Sequence, residues 1–220
     1  MKAIISGYGK MGHMVEASLK RRGIQLVMAT EDVCSVSPEI GKECLCIDFS
    51  TPAAFRENYP TLAKNFKAVV VGTTGWYDIK DEVFAAFEKE GTALIWASNF
   101  SIGVNAFFAA VERVSQVLKG NGYTPSVHEI HHIHKLDAPS GTAKSIGAII
   151  SSTLGVTPEI TADRIGEVPG THTATFLSAV DKLTFTHEAF SREGFAEGAV
   201  AAAIMADSLE GVHEFKDLIL

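Results

Sequence analysis

A glycine-rich segment near the N-terminus, Gly7-Tyr-Gly-Lys-Met-Gly12, is the feature that most constrains the fold of this chain. It follows a short apolar run at residues 3–5 and opens a helical pattern over residues 11–22. In such a strand-loop-helix unit, the first glycine permits a tight turn and the second lets the backbone approach a pyrophosphate. The third allows the helix to pack closely on the strand. The segment therefore predicts a phosphate-binding turn at the start of a parallel sheet.

The rest of the first hundred residues alternates short apolar runs with helical patterns. Alternation of this kind is typical of a parallel sheet with crossover helices. Together with the glycine loop it predicts an α/β fold containing a Rossmann-type dinucleotide-binding domain. The further predicted strands lie at residues 25–29, 46–50, 69–71 and 93–96.

The alternation stops after residues 99–103, where we predict a domain boundary. Two alternating segments around Val180-Asp-Lys182 indicate a β-hairpin. The closing alanine-rich helix is expected to pack back on the first domain. We therefore predict that residues 1–102 and 193–220 form the dinucleotide-binding domain. Residues 103–192 would form a smaller α+β domain for substrate binding and oligomerisation, with a mixed or antiparallel sheet. Its predicted elements are a helix at 104–118, a strand at 126–134, a helix at 143–154 and strands at 173–179 and 183–187.

Candidate cofactor-binding residues follow the predicted strands. Glu31 lies at the end of the second strand, about twenty residues after the glycine loop, where a carboxylate accepts the ribose hydroxyls of NAD. No arginine or lysine adjoins Glu31 to hold the 2′-phosphate of NADP, so we predict NADH rather than NADPH. The loops at residues 72–75 and 97–100 follow two further strands and are expected to line the nicotinamide side.

A second constellation lies in residues 129–143, which contain three histidines, a lysine and a Ser-Gly-Thr helix start. On an extended strand, Glu129 and His131 share one face, and His132 and His134 share the other. The histidines admit three interpretations. They could bind a metal ion, although no HExxH pattern is present; they could be structural, as we expect for His128 and His134; or they could serve substrate chemistry.

The third interpretation accounts for the neighbouring residues. Lys135 supplies a fixed cation. We expect Pro139 in the first turn of a helix, and the N–H groups of Ser140, Gly141 and Thr142 would bind a carboxylate there. A histidine titrates near neutrality and could supply the proton that accompanies hydride transfer. These residues predict a pocket for a compact dianion.

Composition restricts the class of partner. The formal net charge of −7 argues against a nucleic-acid-binding protein, and no apolar run is long enough to span a bilayer. The first residues form a strand rather than a signal peptide, and the three cysteines match no disulfide or zinc pattern. We therefore expect a cytoplasmic protein with reduced thiols, without a membrane or nucleic-acid partner.

The segment His131-His-Ile-His-Lys-Leu-Asp-Ala-Pro-Ser-Gly-Thr-Ala143 closely resembles the signature of the bacterial dihydrodipicolinate reductase (4-hydroxy-tetrahydrodipicolinate reductase) family. The resemblance implies NAD(P)H-dependent reduction of 4-hydroxy-tetrahydrodipicolinate to tetrahydrodipicolinate, in the diaminopimelate and lysine pathway. Hydride would pass from the nicotinamide to a cyclic imine dicarboxylate. The likeness runs over the full length and includes the glycine loop and residues 47–50, 72–75, 99–105, 168–171 and 187–192.

The resemblance also implies roles for individual residues. His131 would be the general acid/base, and Lys135 a proton donor that also binds the substrate. His132, Ser140, Gly141 and Thr142 would hold the substrate carboxylates. Contacts to the cofactor would come from Gly7, Tyr8, Gly9, Lys10, Met11, Gly12, Glu31, Gly72, Thr73, Thr74, Ala97, Ser98, Asn99 and Phe100.

Three features depart from many members of the family. The glycine loop is one residue shorter, Ile133 stands where some members carry arginine, and residues 164–176 are short. The last departure concerns assembly, because the resemblance implies a homotetramer formed through the sheet of the second domain.

Three other functions are alternatives to the reductase. The protein would then be another two-domain NAD(P)-dependent dehydrogenase, a non-catalytic NAD(H)-sensing protein or a zinc-dependent hydrolase.

Overall fold

The computed structural model describes residues 1–220, which divide into two compact units. The first comprises Met1–Ile102 and Glu193–Leu220, and the second comprises Gly103–Arg192. None of the helices is long and apolar enough to cross a membrane.

Strands and helices alternate through most of the chain. The strands are β1 (Lys2–Ser6), β2 (Gln25–Thr30), β3 (Leu45–Asp48), β4 (Ala68–Val71), β5 (Ala93–Trp96), β6 (Thr124–His131), β7 (Glu159–Arg164), β8 (Gly170–Leu177), β9 (Lys182–Ala189) and β10 (Val212–Glu214). The helices are α1 (Lys10–Arg21), α2 (Pro38–Gly41), α3 (Pro52–Asn65), α4 (Lys80–Glu90), α5 (Ile102–Leu118), α6 (Gly141–Leu154), α7 (Glu193–Ala206) and α8 (Phe215–Ile219). Two 3₁₀ turns cover Val33–Ser35 and Tyr77–Ile79.

The first unit contains a six-stranded parallel sheet in the order β2-β1-β3-β4-β5-β10. The chain moves outward from β1 to β2, then returns to the other side of β1 to form β3. This reversal makes a topological switch point between β1 and β3, where open parallel sheets bind ligands beyond the carboxyl ends of their strands. The predicted Rossmann-type sheet is confirmed, with β10 as an additional edge strand.

Both faces of this sheet are covered, which explains its continuous apolar strands. Val69 and Val71 of β4 belong to one buried cluster with residues of α3 and α4, including Phe55 and Phe87. Val70 belongs to the opposite cluster with residues of α1 and the alanine-rich α7. The alternation within one strand thus supplies the core on each side.

The second unit contains a four-stranded mixed sheet in the order β7-β6-β8-β9. β6 pairs with β7 in parallel and with β8 in antiparallel fashion, and β8 and β9 form the predicted hairpin. Val127 and Phe176 of the sheet are buried with Ile146 and Ile150 of α6 and Val111 of α5. The sheet therefore has a buried helical side, and its outer side carries polar residues.

Two details around the histidine segment differ from expectation. The strand predicted for residues 126–134 ends at His131, because the chain turns there and Ile133 N–H donates to Gly166 O at 3.0 Å. Pro139 precedes the helix instead of occupying its first turn, since Ser140 is the N-cap and the helix begins at Gly141. His132 and His134 consequently lie in a loop and do not share a strand face.

Candidate functional site

The glycine loop of the first unit leaves no space for side chains at two positions. Gly7 has φ of +86°, and a Cβ there would lie 2.4 Å from Phe49 O at the end of β3. A Cβ at Gly12 would lie 2.5 Å from Gly7 O. A Cβ at Gly9 would instead meet nothing within 4 Å, so the backbone is open to an approaching group. These three environments match the three roles predicted for the glycines.

The start of α1 is suited to an anion. Gly9 is the N-cap and offers no side-chain cap, so the first-turn amides keep their donor capacity at the positive end of the helix. Glu31 lies beside the loop, where its Oε1 accepts a hydrogen bond of 2.5 Å from the Tyr8 N–H. The predicted residues Tyr8, Lys10 and Glu31 are therefore brought together at the switch point, a geometry that fits a dinucleotide.

A buried carboxylate connects three strand ends in the first unit. Asp48 is fully buried at the end of β3 and accepts hydrogen bonds from Ser6 Oγ and Thr73 Oγ1, both at 2.6 Å. Ser50 Oγ donates to it at 3.2 Å. Burial raises the pKa of Asp48, and the donated hydrogen bonds act in the opposite direction. Because Ser6 ends β1 and Thr73 follows β4, Asp48 fixes the positions of loops on both sides of the switch point.

The two loops expected on the nicotinamide side are tied to the protein in different ways. The first, which contains Gly72, Thr73 and Thr74, is held by a hydrogen bond of 2.7 Å from Trp76 Nε1 to Thr73 O. In the second, which contains Ala97, Ser98, Asn99 and Phe100, the phenyl ring is buried. It packs against Phe215 with ring centroids 5.0 Å apart. A contact between Phe100 and a cofactor would therefore come from its backbone.

The site of the second unit is organised around Glu129 of β6, whose side chain is completely buried. Its Oε1 accepts hydrogen bonds from the Ser140 amide and from Arg164, both at 3.0 Å. Its Oε2 accepts a hydrogen bond from Ser140 Oγ. Burial acts to raise the pKa of Glu129, but the hydrogen bonds from Ser140 and Arg164 outweigh it and lower the pKa. The carboxylate is therefore ionised.

Two buried imidazoles lie next to this carboxylate. His131 Nδ1 and His172 Nε2 are each 3.5 Å from Glu129 Oε2, and the two rings make an edge contact with centroids 5.0 Å apart. Burial lowers the pKa of His131, whereas the charge of Glu129 raises it. Burial lowers the pKa of His172 to about 4, and neighbouring His131 adds to the effect. Both imidazoles are thus favoured in the neutral form at neutral pH.

Arg164 of β7 fixes the loop that carries the predicted catalytic lysine. Its Nε donates to Lys135 O at 3.2 Å, and another guanidinium nitrogen donates to Asp137 O. The lysine side chain forms an ion pair of 2.7 Å with Asp137 Oδ1. Lys135 is therefore held near the end of β6, in the segment that follows His131.

The other predicted residues of the segment are distributed around this centre. His132 Nε2 lies 3.3 Å from a guanidinium nitrogen of Arg192. His134 and His128 make exposed pairs with acidic side chains instead. The carboxylate cradle predicted at the start of α6 is smaller than expected, because Glu129 already accepts the hydrogen bonds of Ser140. The first-turn amides of Gly141 and Thr142 remain.

Glu129, His131 and His172 also have the composition of a metal site, with ligand atoms within 4.8 Å of one another. However, both carboxylate oxygens already accept hydrogen bonds, and the guanidinium of Arg164 lies 3.0 Å from one of them. A cation placed among these ligands would be repelled by that guanidinium. The trio is better suited to holding protons than to holding a metal ion.

Three of these residues were missed by the sequence analysis. In the sequence Glu129 stands at the start of the histidine segment, and Arg164 and His172 belong to no motif. Arg164 lies in β7, a strand that was not predicted. Three of the six residues in its sequence, Glu-Ile-Thr-Ala-Asp-Arg, are charged. His172 lies in β8 on the face opposite the threonines that alternate with it. Their approach to residue 129 arises from strand pairing and left no local signal.

Comparisons with known proteins cover both units. Residues 1–100 match the family model described as "Dihydrodipicolinate reductase, N-terminus", and residues 103–219 match "Dihydrodipicolinate reductase, C-terminus". A 4-hydroxy-tetrahydrodipicolinate reductase from Christiangramia forsetii is 38% identical over 100% of this chain and 98% of its own length. The enzyme of the same name from Methanopyrus kandleri is 36% identical over 83% of this chain and 74% of its own length.

A solved structure shares the fold. The dipicolinate-bound dihydrodipicolinate reductase from Paenisporosarcina sp. TG-14 aligns with a TM-score of 0.81 at 19% identity, over 100% of this chain and 99% of that one. The family models span both units, and the curated relatives align over most of the chain. The chain therefore belongs to the dihydrodipicolinate reductase family, whose members are NAD(P)H-dependent oxidoreductases.

Proposed function

We propose that this protein reduces 4-hydroxy-tetrahydrodipicolinate to tetrahydrodipicolinate with a nicotinamide cofactor, as a step of diaminopimelate and lysine biosynthesis. The observation that carries the proposal is the arrangement of His131, Lys135 and the N-terminus of α6 around one buried carboxylate. This arrangement offers a proton donor, a cation and free amides within a single segment, as an anionic substrate that accepts hydride requires.

The residues proposed to bind substrate carry complementary charge. Lys135 and the first-turn amides of Gly141 and Thr142 would neutralise one carboxylate, and His132 beside Arg192 would neutralise the other. Ser140 would act through its position as N-cap, because its own donors are used by Glu129. Dipicolinate, the ligand named for the Paenisporosarcina reductase, is a planar dicarboxylate and would serve as a probe of this site.

Proton transfer is assigned to His131 and Lys135. Burial lowers the pKa of His131, so its protonated form is a stronger acid than an exposed imidazolium. The ammonium group of Lys135 would neutralise charge that builds on the imine nitrogen and would deliver a proton there. When bound, the reduced nicotinamide would supply the hydride, the 4-hydroxyl group of the substrate would leave as water, and these residues would supply the one proton that balances the reaction.

The glycine loop would hold the cofactor. The amides of Lys10, Met11 and Gly12 would face the pyrophosphate, and Glu31 would accept the ribose hydroxyls with the oxygen that Tyr8 does not engage. We propose a preference for NADH, because a carboxylate at this position repels the 2′-phosphate of NADPH. Equal or higher kcat/KM with NADPH would contradict this assignment.

We further propose a cytoplasmic homotetramer. The support is the family resemblance and the polar outer side of the second sheet, where Thr173, Thr175, Thr184 and Thr186 lie at least partly exposed. Light scattering coupled to gel filtration measures the assembly directly. A monomeric mass at micromolar concentration would overturn the tetramer.

The activity test follows the absorbance of NADH at 340 nm during incubation with the fresh condensation product of pyruvate and aspartate semialdehyde. Oxidation that requires the condensation product supports the reductase. If the protein binds NADH but does not oxidise it when the condensation product is added, it would instead be another dehydrogenase or a non-catalytic sensor.

A further inference from the structure

We propose that the buried ion pair between Glu129 and Arg164 positions the reacting side chains, so that both are positioning residues for the reaction. The inference rests on the proposed function, because it assigns the task of this pair relative to His131 and Lys135. Neither residue of the pair needs to touch the substrate. Their contacts reach His131, His172, Ser140 and the backbone of Lys135.

Glu129 connects the acid/base residue to the substrate-binding helix. One oxygen accepts the amide hydrogen of Ser140 at 3.0 Å, and the other accepts its hydroxyl hydrogen and faces His131 Nδ1 at 3.5 Å. The hydroxyl of Ser140 in turn accepts a hydrogen bond from Ala143 N–H at 3.2 Å and caps α6. A change at Glu129 therefore alters the imidazole and the helix N-terminus together.

Arg164 connects the same carboxylate to the lysine loop. It lies opposite His131 in the parallel register of β6 and β7, and Ile165 N–H donates to His131 O at 2.8 Å. Its guanidinium donates to the backbone oxygens of Lys135 and Asp137 as well as to Glu129. The backbone that carries Lys135 is thus anchored to the strand beside His131.

Stability alone does not account for such a pair. Removing two charges from water is costly, and apolar residues of similar size often stabilise a protein better. The side chain of Glu129 is completely buried, and that of Arg164 is 19% exposed. The pair is placed where His131, Lys135 and Ser140 must hold fixed positions, and small displacements of reacting groups reduce rates strongly.

The charges around His131 define a second consequence. The groups that face it are Glu129 on its own strand, Arg164 on β7, His172 on β8, and Lys135 and His132 from the following loop. Glu129 is the anion among them. Its loss would leave the imidazole beside cations and another imidazole, which favour the neutral form.

Glu129→Gln tests the inference, with the pH profile of kcat as the specific readout. We expect kcat at pH 7.5 to fall about 10- to 100-fold. We also expect the alkaline limb of the profile to move to lower pH by about one unit, because the protonated imidazole loses its counter-charge. NADH affinity, measured by energy transfer from Trp76 and Trp96 in the first unit, should not change.

Two conservative variants and one control keep the test independent of folding. Glu129→Asp retains the charge, so its alkaline limb should return toward that of the wild type while kcat stays reduced. Arg164→Lys retains the charge but loses the forked contacts to the lysine loop, so the KM for substrate should rise about 10-fold. Asp163→Asn removes an exposed carboxylate adjacent to Arg164 in β7 and should leave kcat, KM and the pH profile unchanged.

The outcomes separate this inference from the proposed function. A wild-type protein without reductase activity would refute the proposed function itself. An active wild type whose Glu129→Gln variant has an unchanged pH profile and unchanged dipicolinate inhibition would overturn the inference alone. A uniform loss of activity at every pH, shared by Glu129→Asp, would show a structural role and would equally overturn it.

Discussion

Lys135 combines an anchored backbone with a side chain paired to an exposed acid. Its carbonyl is held by Arg164, and its ammonium lies 2.7 Å from Asp137 Oδ1. A dicarboxylate substrate offers this ammonium a second anion, and the exchange between the two requires little movement of the backbone. The geometry therefore suits a group that binds substrate and donates a proton in the same step.

We predict that Lys135→Ala lowers kcat about 100-fold or more, because it removes a proton donor and a charge from the reacting centre. NADH affinity should stay within about twofold of the wild-type value, since the cofactor residues lie in the first unit. Steady-state kinetics and fluorescence titration measure the two effects. Lys144→Ala, which removes an exposed lysine from α6, is the control. A loss of NADH affinity in the Lys135 variant would show that the lysine has been assigned to the wrong ligand.

Gly170 provides space for the imidazole of His131. It has φ of +157°, and a Cβ there would lie 3.0 Å from His131 Nε2. We predict that Gly170→Ala lowers kcat about 10- to 100-fold by displacing the ring. Gly166→Ala is a matched control, because Gly166 also has a positive φ but a Cβ there would meet nothing within 4 Å. Similar kinetics for both variants would contradict the prediction.

His172 predicts a specific dependence of stability on pH. Its folded pKa of about 4 lies below the unfolded value of 6.5, so its contribution is complete above pH 6.5 and is lost as the pH falls through about 4. The loss amounts to about 3 kcal/mol of unfolding free energy. Urea denaturation at pH 7.5 and pH 4.5 should show a smaller difference for His172→Gln than for the wild type. His128→Gln, a surface variant, should keep the full difference. An identical difference in unfolding free energy between the two pH values for all three proteins would contradict the contribution assigned to His172.

At the scale of elements, Asp48 joins the ends of β1, β3 and β4 through hydrogen bonds. We predict that Asp48→Asn lowers NADH affinity about 10-fold, because an amide cannot accept the hydroxyl hydrogens of Ser6, Ser50 and Thr73 on two oxygens and the loops shift. Fluorescence titration gives the affinity, and thermal unfolding gives the accompanying loss of stability. Asp81→Asn on the exposed side of α4 is the control. Unchanged affinity at reduced stability would limit Asp48 to a folding role.

The strands and helices differ in how well the sequence predicts them. Residues 2–21 were predicted correctly because an apolar run, fixed glycine positions and a helical pattern agree there at every level. β7 and β10 were missed, since β10 has only three residues and β7 contains three charged residues and only two apolar ones. The end of β6 was misplaced because the turn at His132 depends on a hydrogen bond from Ile133 N–H to Gly166 O, far away in sequence.

In the site, too, residues close together in sequence were predicted, and residues brought together by the fold were not. His131 and Lys135 lie in one short segment, whose residue types predict a proton-donating imidazole and a cation, and the family resemblance implies these two residues for the roles. Two other side chains of the site, Arg164 and His172, reach Glu129 through the pairing of β7 and β8 with β6. Side chains brought together by sheet register cannot be recognised without knowing that register.

At the scale of the whole molecule, the first unit is built from two separate stretches of the chain. Its parallel sheet is formed largely by residues before Ile102, whereas one of its covering helices, α7, begins at Glu193. The helix supplies six residues to the core on that side of the sheet: Ala196, Ala199, Val200, Ala202, Ala203 and Ala206. Neither stretch alone contains a complete core.

This discontinuity has a consequence for biosynthesis on the ribosome. A nascent chain that has just emerged up to Ile102 presents the α7-binding side of its sheet to solvent. Roughly ten seconds of further elongation separate that moment from the appearance of α7. Throughout this interval the uncovered valines and isoleucines are available to chaperones or to other nascent chains. The second unit, encoded in one uninterrupted stretch, can finish folding while the first still waits for its last helix.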